Sequence, residues 1–281
     1  MSEQKSASET AETTALLRAV ACFEPDEKIK GQDNLARLFL PREKQEKLDK
    51  EPYRIAVKEA VKAASQNGLY EYIIARTVYF DNLFTNAMND GIPQIVLLGA
   101  GYDSRAYRFT GLNEAVKIFE VDAPFTQERK ISILKANGID CDRVVFVPVD
   151  FEKDSLFERL EERGYDPAQS TLFLWEGVTP YLTPEAARAT LMAIKQGCRS
   201  SILAFDYLNR SFSGEFVIIR KDERVLFGLG KAEIESWMSS LGYRVLENLE
   251  PDEIAARCLT GTDGAIIGDI KKTMNFIKVA G

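Results

Sequence analysis

The sequence of 281 residues contains no histidine. Histidine is the side chain whose ordinary pKa lies closest to neutral pH. It supplies the base of Ser-His-Asp triads, the partner of many catalytic cysteines and the commonest metal ligand. The absence of histidine therefore excludes all three kinds of site. If the protein is an enzyme, its chemistry proceeds without an imidazole base.

Cysteine is also scarce, and the four that occur are far apart: Cys22, Cys141, Cys198 and Cys258. No two of them form a CxxC pair, and no histidine is present to complete a zinc site. A disulfide framework and a structural metal are therefore not expected. We expect four reduced cysteines in or near the core, since an unpaired cysteine behaves as a small apolar residue.

An excess of basic charge and a long apolar run are both missing. The formal net charge is −7 and the pI is about 5.0, which argues against a nucleic-acid partner because phosphate contacts need a basic surface. No apolar run approaches the ~20 residues of a membrane span. The N-terminus, "MSEQKSASETAETT", is polar and lacks the apolar core of a signal peptide. We therefore expect a cytoplasmic protein without a membrane partner.

The hydrophobic pattern changes once along the chain. Residues 1–12 are polar and are predicted to be disordered, and the pattern from residue 13 to about residue 90 is helical. After Pro93, short β-rich runs alternate with helices. The sequence thus predicts an N-terminal helical cap followed by an α/β domain over residues 91–281. The alternation breaks at about residues 209–230, which we interpret as an insertion facing a ligand or substrate.

The β-rich runs predict one parallel, doubly wound sheet. Five of them alternate with helices, and two more follow near the C-terminus: "QIVLLG", "VKIFEVD", "RVVFVPVD", "TLFLWEG", "SILAFDYL", "YRVLENL" and "MNFIKVA". Four successive β–α–β steps predict right-handed crossovers with helices on both faces of the sheet, as in Rossmann-like folds.

The first predicted strand runs directly into the turn "GAGYDSRAYRF". Gly99 and Gly101 would let the backbone turn sharply and approach a ligand without a Cβ in the way. Asp103 or Ser104 can cap the helix that follows. The dinucleotide-binding fingerprint has a third glycine at the position of Ser104, so the match to it is incomplete. Alone, the two glycines are equally typical of a plain tight turn.

The next three strands end in acids. Asp122 closes the second strand and could accept hydrogen bonds from both hydroxyls of a ribose, and Glu120 on the same face is a weaker candidate. Asp150 follows the third strand and could accept from an adenine amino group, with Phe151 as an apolar wall. Glu176 follows the fourth. Each acid could equally be a solvated strand end, but the row of them favours a nucleoside site.

Arg76 lies in the apolar stripe of a predicted helix, between Ile73 and Phe80. An unpaired charge in such a stripe is costly to bury, so the sequence predicts a partner for the guanidinium. That partner could be an acid of the protein or the carboxylate of a ligand held in a bidentate contact.

Together these segments resemble a known family. The matching segments are "RTVYFD", "VLLGAGYDSRAYRF", "FEVDAPFTQERK", "VPVDFEKD" and "LWEGVTPYLTPEA". They resemble the signature segments of the leucine carboxyl methyltransferase family, in the same order, and the resemblance extends from about Thr13 to Tyr243. It implies a class I methyltransferase fold with a seven-stranded, mostly parallel sheet, and S-adenosyl-L-methionine as the cofactor. In this family the turn reads Gly-Ala-Gly-x-Asp-x-Arg, without a third glycine.

The resemblance also implies roles for the residues that bind the methionine part and the ribose. Arg76 resembles the family arginine that meets the methionine carboxylate. Gly99 and Gly101 resemble the turn beneath the methionine part. Asp122 resembles the acid that binds the ribose.

Further roles follow from the same resemblance for the adenine and for the reacting end. Asp150 and Phe151 resemble the pair at the adenine. Glu176 resembles the acid near the methionine amino group, and Tyr181 resembles a residue that faces the acceptor. Glu176 and Tyr181 are therefore the candidate catalytic residues.

The function that this implies is O-methylation of a small molecule, at a carboxylate or a hydroxyl oxygen. The branch that methylates the terminal leucine of a protein phosphatase has an N-terminal Gly-Tyr-Trp segment that this sequence lacks. The same residues are also compatible with two other functions. One is a nicotinamide-dependent oxidoreductase that uses the glycines and Asp122, and the other is a non-catalytic nucleoside-binding protein. A homo-oligomer is also left open.

Overall fold

The computed structural model describes residues 3–64, 68–109, 111–151, 153–210 and 226–281. The N-terminal part is helical, as predicted. In the described residues before the sheet, the structure has α1 Glu3–Ala21, the 3-10 helix Ala36–Phe39, α2 Arg42–Lys47, α3 Glu51–Ala64 and α4 Leu69–Asn89.

Helix α1 begins earlier than the sequence predicted. The structure places residues from Glu3 onwards in the helix, whereas residues 1–12 were expected to be disordered. The polar segment contains neither glycine nor proline, so nothing in it breaks a helix. Ala15 and Leu17 in the later turns are fully buried, and this packing anchors a helix that can extend N-terminally.

The seven predicted strands are all present and form one sheet. Their bounds are β1 Gln94–Leu98, β2 Lys117–Asp122, β3 Val144–Pro148, β4 Thr171–Trp175, β5 Ser201–Leu208, β6 Arg244–Leu249 and β7 Met274–Ala280. The strand order is β3-β2-β1-β4-β5-β7-β6. Strands β1 to β5 pair in parallel, and β7 runs antiparallel to both of its neighbours. This is the seven-stranded, mostly parallel α/β architecture that was predicted.

Helices connect the strands and cover both faces of the sheet. They are α5 Arg105–Arg108, α6 Pro124–Ala136, α7 Leu156–Glu162, α8 Pro184–Gly197, α9 Lys231–Ser240 and α10 Pro251–Cys258. Alternate residues of each central strand enter opposite cores: Ile95 and Leu97 of β1 pack on the side of α4, and Val96 and Leu98 pack on the other side. Because both faces of the central strands are buried, their sequences are continuous apolar runs.

The topology brings the C-terminal ends of β1, β2 and β4 to one edge of the sheet. Strand order reverses between β1 and β4, and such switch points are where open α/β sheets bind ligands. Most of the predicted insertion, residues 211–225, lies outside the described residues. Within the described ranges, no helix is both long and apolar enough to cross a bilayer.

Candidate ligand-binding site at the sheet edge

A cavity of about 410 Å³ lies at the C-terminal ends of β1, β2 and β4. This volume is within the usual range of small-molecule sites. Seven predicted site residues line it, namely Arg76, Gly99, Gly101, Asp122, Phe151, Glu176 and Tyr181. The strands therefore assemble residues that are up to about a hundred positions apart in the sequence.

The two positions of the turn differ in what a side chain would meet there. Both have positive φ angles, +64° for Gly99 and +43° for Gly101, a conformation that favours glycine. A Cβ on Gly99 would come within 2.6 Å of the Val178 side chain, so that glycine permits the loop after β4 to pack. A Cβ on Gly101 would meet no atom beyond its chain neighbours closer than 3.8 Å. Packing against the described residues therefore does not exclude a side chain at Gly101, which borders the open space of the cavity.

Asp122 is held at the cavity wall by the backbone on both sides. Its Oδ2 accepts a hydrogen bond from the N–H of Gly101, and its Oδ1 accepts from the N–H of Ala123 at 2.7 Å. Burial raises the pKa of Asp122, while these two N–H groups act to lower it. Each carboxylate oxygen keeps a second lone pair, so the group can accept from two hydroxyls of a ligand.

Arg76 and Glu176 form an ion pair in the cavity wall. The Nε of Arg76 lies 2.9 Å from Oε1 of Glu176, and its Nη1 lies 3.2 Å from Oδ2 of Asp206. Of the two partners that the sequence left open for Arg76, the structure therefore shows protein acids. Burial acts to lower the pKa of Arg76, but Glu176, Tyr72 and Asp206 outweigh it and leave the pKa raised. The guanidinium remains charged.

The same pair has charges that complement an amino acid. Arg76 and Glu176 place a guanidinium and a carboxylate side by side in the cavity wall. These two charges match the carboxylate and ammonium groups of an amino acid.

The residues after the turn form a buried ionic network beneath the cavity. The guanidinium of Arg105 lies 2.5 Å from Asp103, 2.7 Å from Asp81 and 2.7 Å from Glu176. Arg108 adds a second contact to Asp81 at 2.8 Å. Burial acts to raise the pKa of Asp103, but Arg105 and nearby charges outweigh it and lower the pKa to about 2. The network explains why acids and arginines follow the glycines of this turn.

Ser104, at the position of the missing third glycine, belongs to the same network. It is fully buried; its Oγ donates to Asp33 at 2.6 Å and accepts from Arg108 at 2.8 Å. Of the two predicted capping residues, Asp103 is the one that acts, because its Oδ1 accepts the N–H of Arg105 at 2.8 Å. Ser104 makes no side-chain cap.

The sequence did not predict Arg18 as a site residue. Arg18 lines the cavity, lies 3.4 Å from Asp33 and donates to the carbonyl of Tyr102 at 2.7 Å. It therefore supports the backbone that follows Gly101. The signal was present, because Arg18 interrupts the apolar helical run "ALLRAV" as Arg76 interrupts its own stripe.

Two of the predicted acids lie outside the cavity lining. Asp150 pairs with Lys153 at 2.6 Å, while the neighbouring Phe151 forms part of the wall and is 57% exposed. Glu120, the weaker candidate, is fully buried and pairs with Lys130 at 2.7 Å. Burial raises the pKa of Glu120 to about 7. Glu120 is therefore part of the packing behind the site.

Tyr181 lies on a short 3-10 helix, Thr179–Tyr181, at the cavity. The Thr179 hydroxyl donates to the carbonyl of Asp206 on β5. The carbonyl of Pro180 accepts N–H groups of Leu226 at 2.7 Å and of Phe227 at 3.2 Å. The 3-10 helix is thus anchored both to the sheet and to described residues near the end of the predicted insertion.

Comparison with known proteins shows the family of the chain. The chain matches the family model described as leucine carboxyl methyltransferase over residues 11–195. The chain belongs to the leucine carboxyl methyltransferase family. The matched region covers the cavity lining from Ala11 to Tyr181.

Two similar proteins are provisionally named as methyltransferases. A protein of Mycolicibacterium smegmatis, provisionally named an S-adenosyl-L-methionine-dependent methyltransferase, is 31% identical over 66% of this chain and 64% of its own length. YktD of Bacillus subtilis, provisionally named in the same way, is 29% identical over 77% of this chain and 73% of its own length. The chain thus spans less than two thirds of the mycobacterial relative.

A crystal structure from Thermobifida fusca, of a protein provisionally named a methyltransferase, is similar in fold. The TM-score is 0.58, at 14% identity over 80% of this chain and 87% of that one. The class I methyltransferase fold that the family resemblance implied is therefore confirmed.

Proposed function

We propose that this protein is an S-adenosylmethionine-dependent O-methyltransferase that acts on a small molecule, with a carboxylate oxygen as the favoured acceptor. One observation carries the proposal. Within one cavity, the Arg76–Glu176 pair lies at the end of β4 and Asp122 lies at the end of β2, with the Gly101 turn of β1 between them in strand order.

The order of these groups along the sheet edge matches the order of chemical groups in the cofactor. Arg76 and Glu176 would hold the carboxylate and the ammonium of the methionine part. Gly101 would leave space for its chain, Asp122 would accept the ribose hydroxyls and Phe151 would offer an apolar wall to the adenine. When bound, the cofactor supplies a methyl group that its sulfonium already activates.

The protein would then contribute mainly position and electrostatic environment. A carboxylate acceptor is ionised at neutral pH and needs no general base, which suits a chain without histidine. Tyr181, on its anchored 3-10 helix, would orient the acceptor through its hydroxyl. The family description supports carboxyl methylation. The missing Gly-Tyr-Trp segment favours a small molecule as the acceptor over the terminal leucine of a protein phosphatase.

A thermal-shift assay with three ligands tests the cofactor. S-adenosylmethionine and S-adenosylhomocysteine should both raise the melting temperature, because a ligand at 100 times its Kd stabilises the folded state by about 2.7 kcal/mol. NAD should not. Stabilisation by NAD alone would favour an oxidoreductase, and no stabilisation by any of the three would contradict the proposed function.

The pH dependence of the chemical step tests the acceptor. A carboxylate has an ordinary pKa of about 4, so a single-turnover rate should be constant above roughly pH 6, and mild alkali should hydrolyse the methyl ester product. A phenol or alcohol needs deprotonation, so its rate would climb toward a pKa of about 10. An alkali-stable product whose rate of formation rises from pH 7 to pH 9 would overturn the carboxylate acceptor.

A further inference from the structure

Asp206, on β5, is a fully buried acid that lies behind the cavity wall. Its Oδ1 accepts the N–H of Gly177 at 2.6 Å. Its Oδ2 accepts from Nη1 of Arg76 at 3.2 Å and from the hydroxyl of Tyr72. One carboxylate therefore joins the loop after β4, helix α4 of the N-terminal part and strand β5.

The contacts of Asp206 converge on the ion pair that lines the cavity. Arg76 lies between two acids, with Glu176 in the cavity wall and Asp206 behind it. Gly177 has a φ of +70°, and a Cβ there would lie 2.9 Å from Nη1 of Arg76. The guanidinium is thus packed directly against the backbone that Asp206 holds. A shift of either group would move the other.

We propose that Asp206 is a positioning residue that fixes Arg76 and the Glu176–Gly177 turn as one preformed receptor for the amino-acid end of the cofactor. This inference rests on the proposed function and assigns Asp206 no contact with the ligand. Asp206 supplies a permanent acceptor behind the guanidinium, while the Nε of Arg76 faces Glu176 in the cavity wall.

Tyr72 completes the arrangement. Burial, together with the charge of Asp206, raises the pKa of Tyr72 well above its ordinary value, so the phenol stays protonated and donates to Asp206. Asp206 thus receives three donors: a backbone N–H, a guanidinium and a phenol. A carboxylate satisfied by three donors keeps a fixed geometry, and preorganised sites need this from the residues that support them.

The variant Asp206→Asn tests the role of the charge. The asparagine keeps an oxygen that can accept the N–H of Gly177. Its amide N–H₂ group would replace Oδ2, and it would face the guanidinium of Arg76 and the hydroxyl of Tyr72, which are both donors. Because only the amino-acid end of the ligand meets Arg76 and Glu176, affinity for S-adenosylhomocysteine should fall roughly 10- to 100-fold. Affinity for 5′-methylthioadenosine, which lacks the amino-acid end, should change by less than about twofold.

Calorimetric titration of both ligands gives the readout, with melting temperature as the measure of folding. Tyr72→Phe removes one donor and should weaken S-adenosylhomocysteine binding about threefold to tenfold, again without affecting methylthioadenosine. It keeps the inference testable if Asp206→Asn does not fold. Asp252→Asn, an acid with a side chain 87% exposed, is the matched control and should bind both ligands like wild type.

The outcomes separate a positioning role from a general structural one. Selective loss of S-adenosylhomocysteine binding supports the inference. Equal loss of both ligands would assign Asp206 to folding alone and overturn it, and so would unchanged binding of both. Failure of the wild-type protein to bind either ligand would contradict the proposed function itself. This outcome can be told apart from failure of the Asp206 inference, because it is measured on the wild type before any variant is compared.

Discussion

At the scale of single residues, the turn after β1 shows that identical residues in one motif can have different roles. Gly99 and Gly101 share a positive φ and both line the cavity, but a Cβ on Gly99 would overlap Val178, whereas a Cβ on Gly101 would meet no atom of the described residues closer than 3.8 Å. The sequence predicted both as parts of the turn beneath a ligand. It could not separate them, because the difference depends on Val178, which another strand brings into place.

A matched pair of variants tests this difference. Gly101→Val and Gly99→Val both force a side chain into a left-handed conformation, which costs about 1–2 kcal/mol. Gly101→Val should in addition abolish binding of the proposed cofactor. Gly99→Val should be less stable by a further 1–3 kcal/mol or so, because its side chain overlaps Val178. Urea denaturation and calorimetry measure the two effects, and equal stability with equal affinity for the two variants would contradict the assignment.

Glu120 gives a prediction for the pH dependence of stability. Burial raises its pKa from 4.5 to about 7 in the folded protein. A raised folded-state pKa means that the contribution to stability is complete below the unfolded pKa and is lost as pH rises through the folded pKa. The free energy of unfolding should therefore fall between about pH 4.5 and pH 7, and this component should be absent in Glu120→Gln.

Denaturation curves for wild type and Glu120→Gln across pH 4 to pH 8 provide the measurement. The difference between the two free energies of unfolding should change with pH inside that window and be constant above it. A constant difference across the whole range would show that Glu120 is ionised in both states.

The residues that the sequence missed have recognisable signals. Arg18 stands in an apolar helical run, and Asp206 stands in the apolar strand "SILAFDYL". The rule that identified Arg76, that a charge in an apolar stripe needs a partner, applies equally to both. Which partner each charge takes could not be predicted, because Arg18 reaches Asp33 and Asp206 reaches Arg76 only through the tertiary fold.

At the scale of elements, helices α4 and α5 are joined by the ionic network behind the cavity. Arg105 and Arg108 on α5 both contact Asp81 on α4, and both arginine side chains are at least 96% buried. The network links the N-terminal helices to the turn after β1. Removing its shared acid would leave two buried cations with fewer partners.

Asp81→Ala should therefore be strongly destabilising, by about 3–5 kcal/mol, as is typical when one member of a buried ion pair is removed. Glu46→Ala is the control, since Glu46 pairs with Arg42 at the surface, and it should change stability by less than about 0.5 kcal/mol. Chemical denaturation of both variants checks this. Similar small losses in the two would show that the network contributes little to the packing of α4 against α5.

Elements were predicted well where a local pattern determines them. All seven strands and the helices between β2 and β5 follow apolar runs and turn residues. Helix α10 was not predicted, although its start carries a recognisable signal. Pro251 occupies the first helical position, and the Glu253 carboxylate accepts the N–H of Glu250 at 2.9 Å. The start of α1 was misplaced because polar composition alone does not exclude a helix.

At the scale of the whole molecule, the fold explains why the site lies where it does. Parallel strands place the ends of β2, β1 and β4 side by side, so acids separated in sequence line one cavity. The alternation of strands and helices along the sequence predicted that the site residues would lie at the ends of the strands. It could not predict that β7 enters the sheet between β5 and β6, because both late strands are similar apolar runs and their order depends on long-range pairing. The proposed acceptor was equally unpredictable, since the sequence of the predicted insertion carries no recognisable motif.

The central claim is that this cavity binds S-adenosylmethionine with the ribose at Asp122, and titration calorimetry tests it most directly. Wild-type protein should bind S-adenosylmethionine and not NAD. Asp122→Ala should bind S-adenosylmethionine more weakly by about 1–3 kcal/mol, the cost of losing hydrogen bonds to a charged acceptor. Equal affinity of the wild type and Asp122→Ala for S-adenosylmethionine, or binding of NAD in its place, would contradict the account.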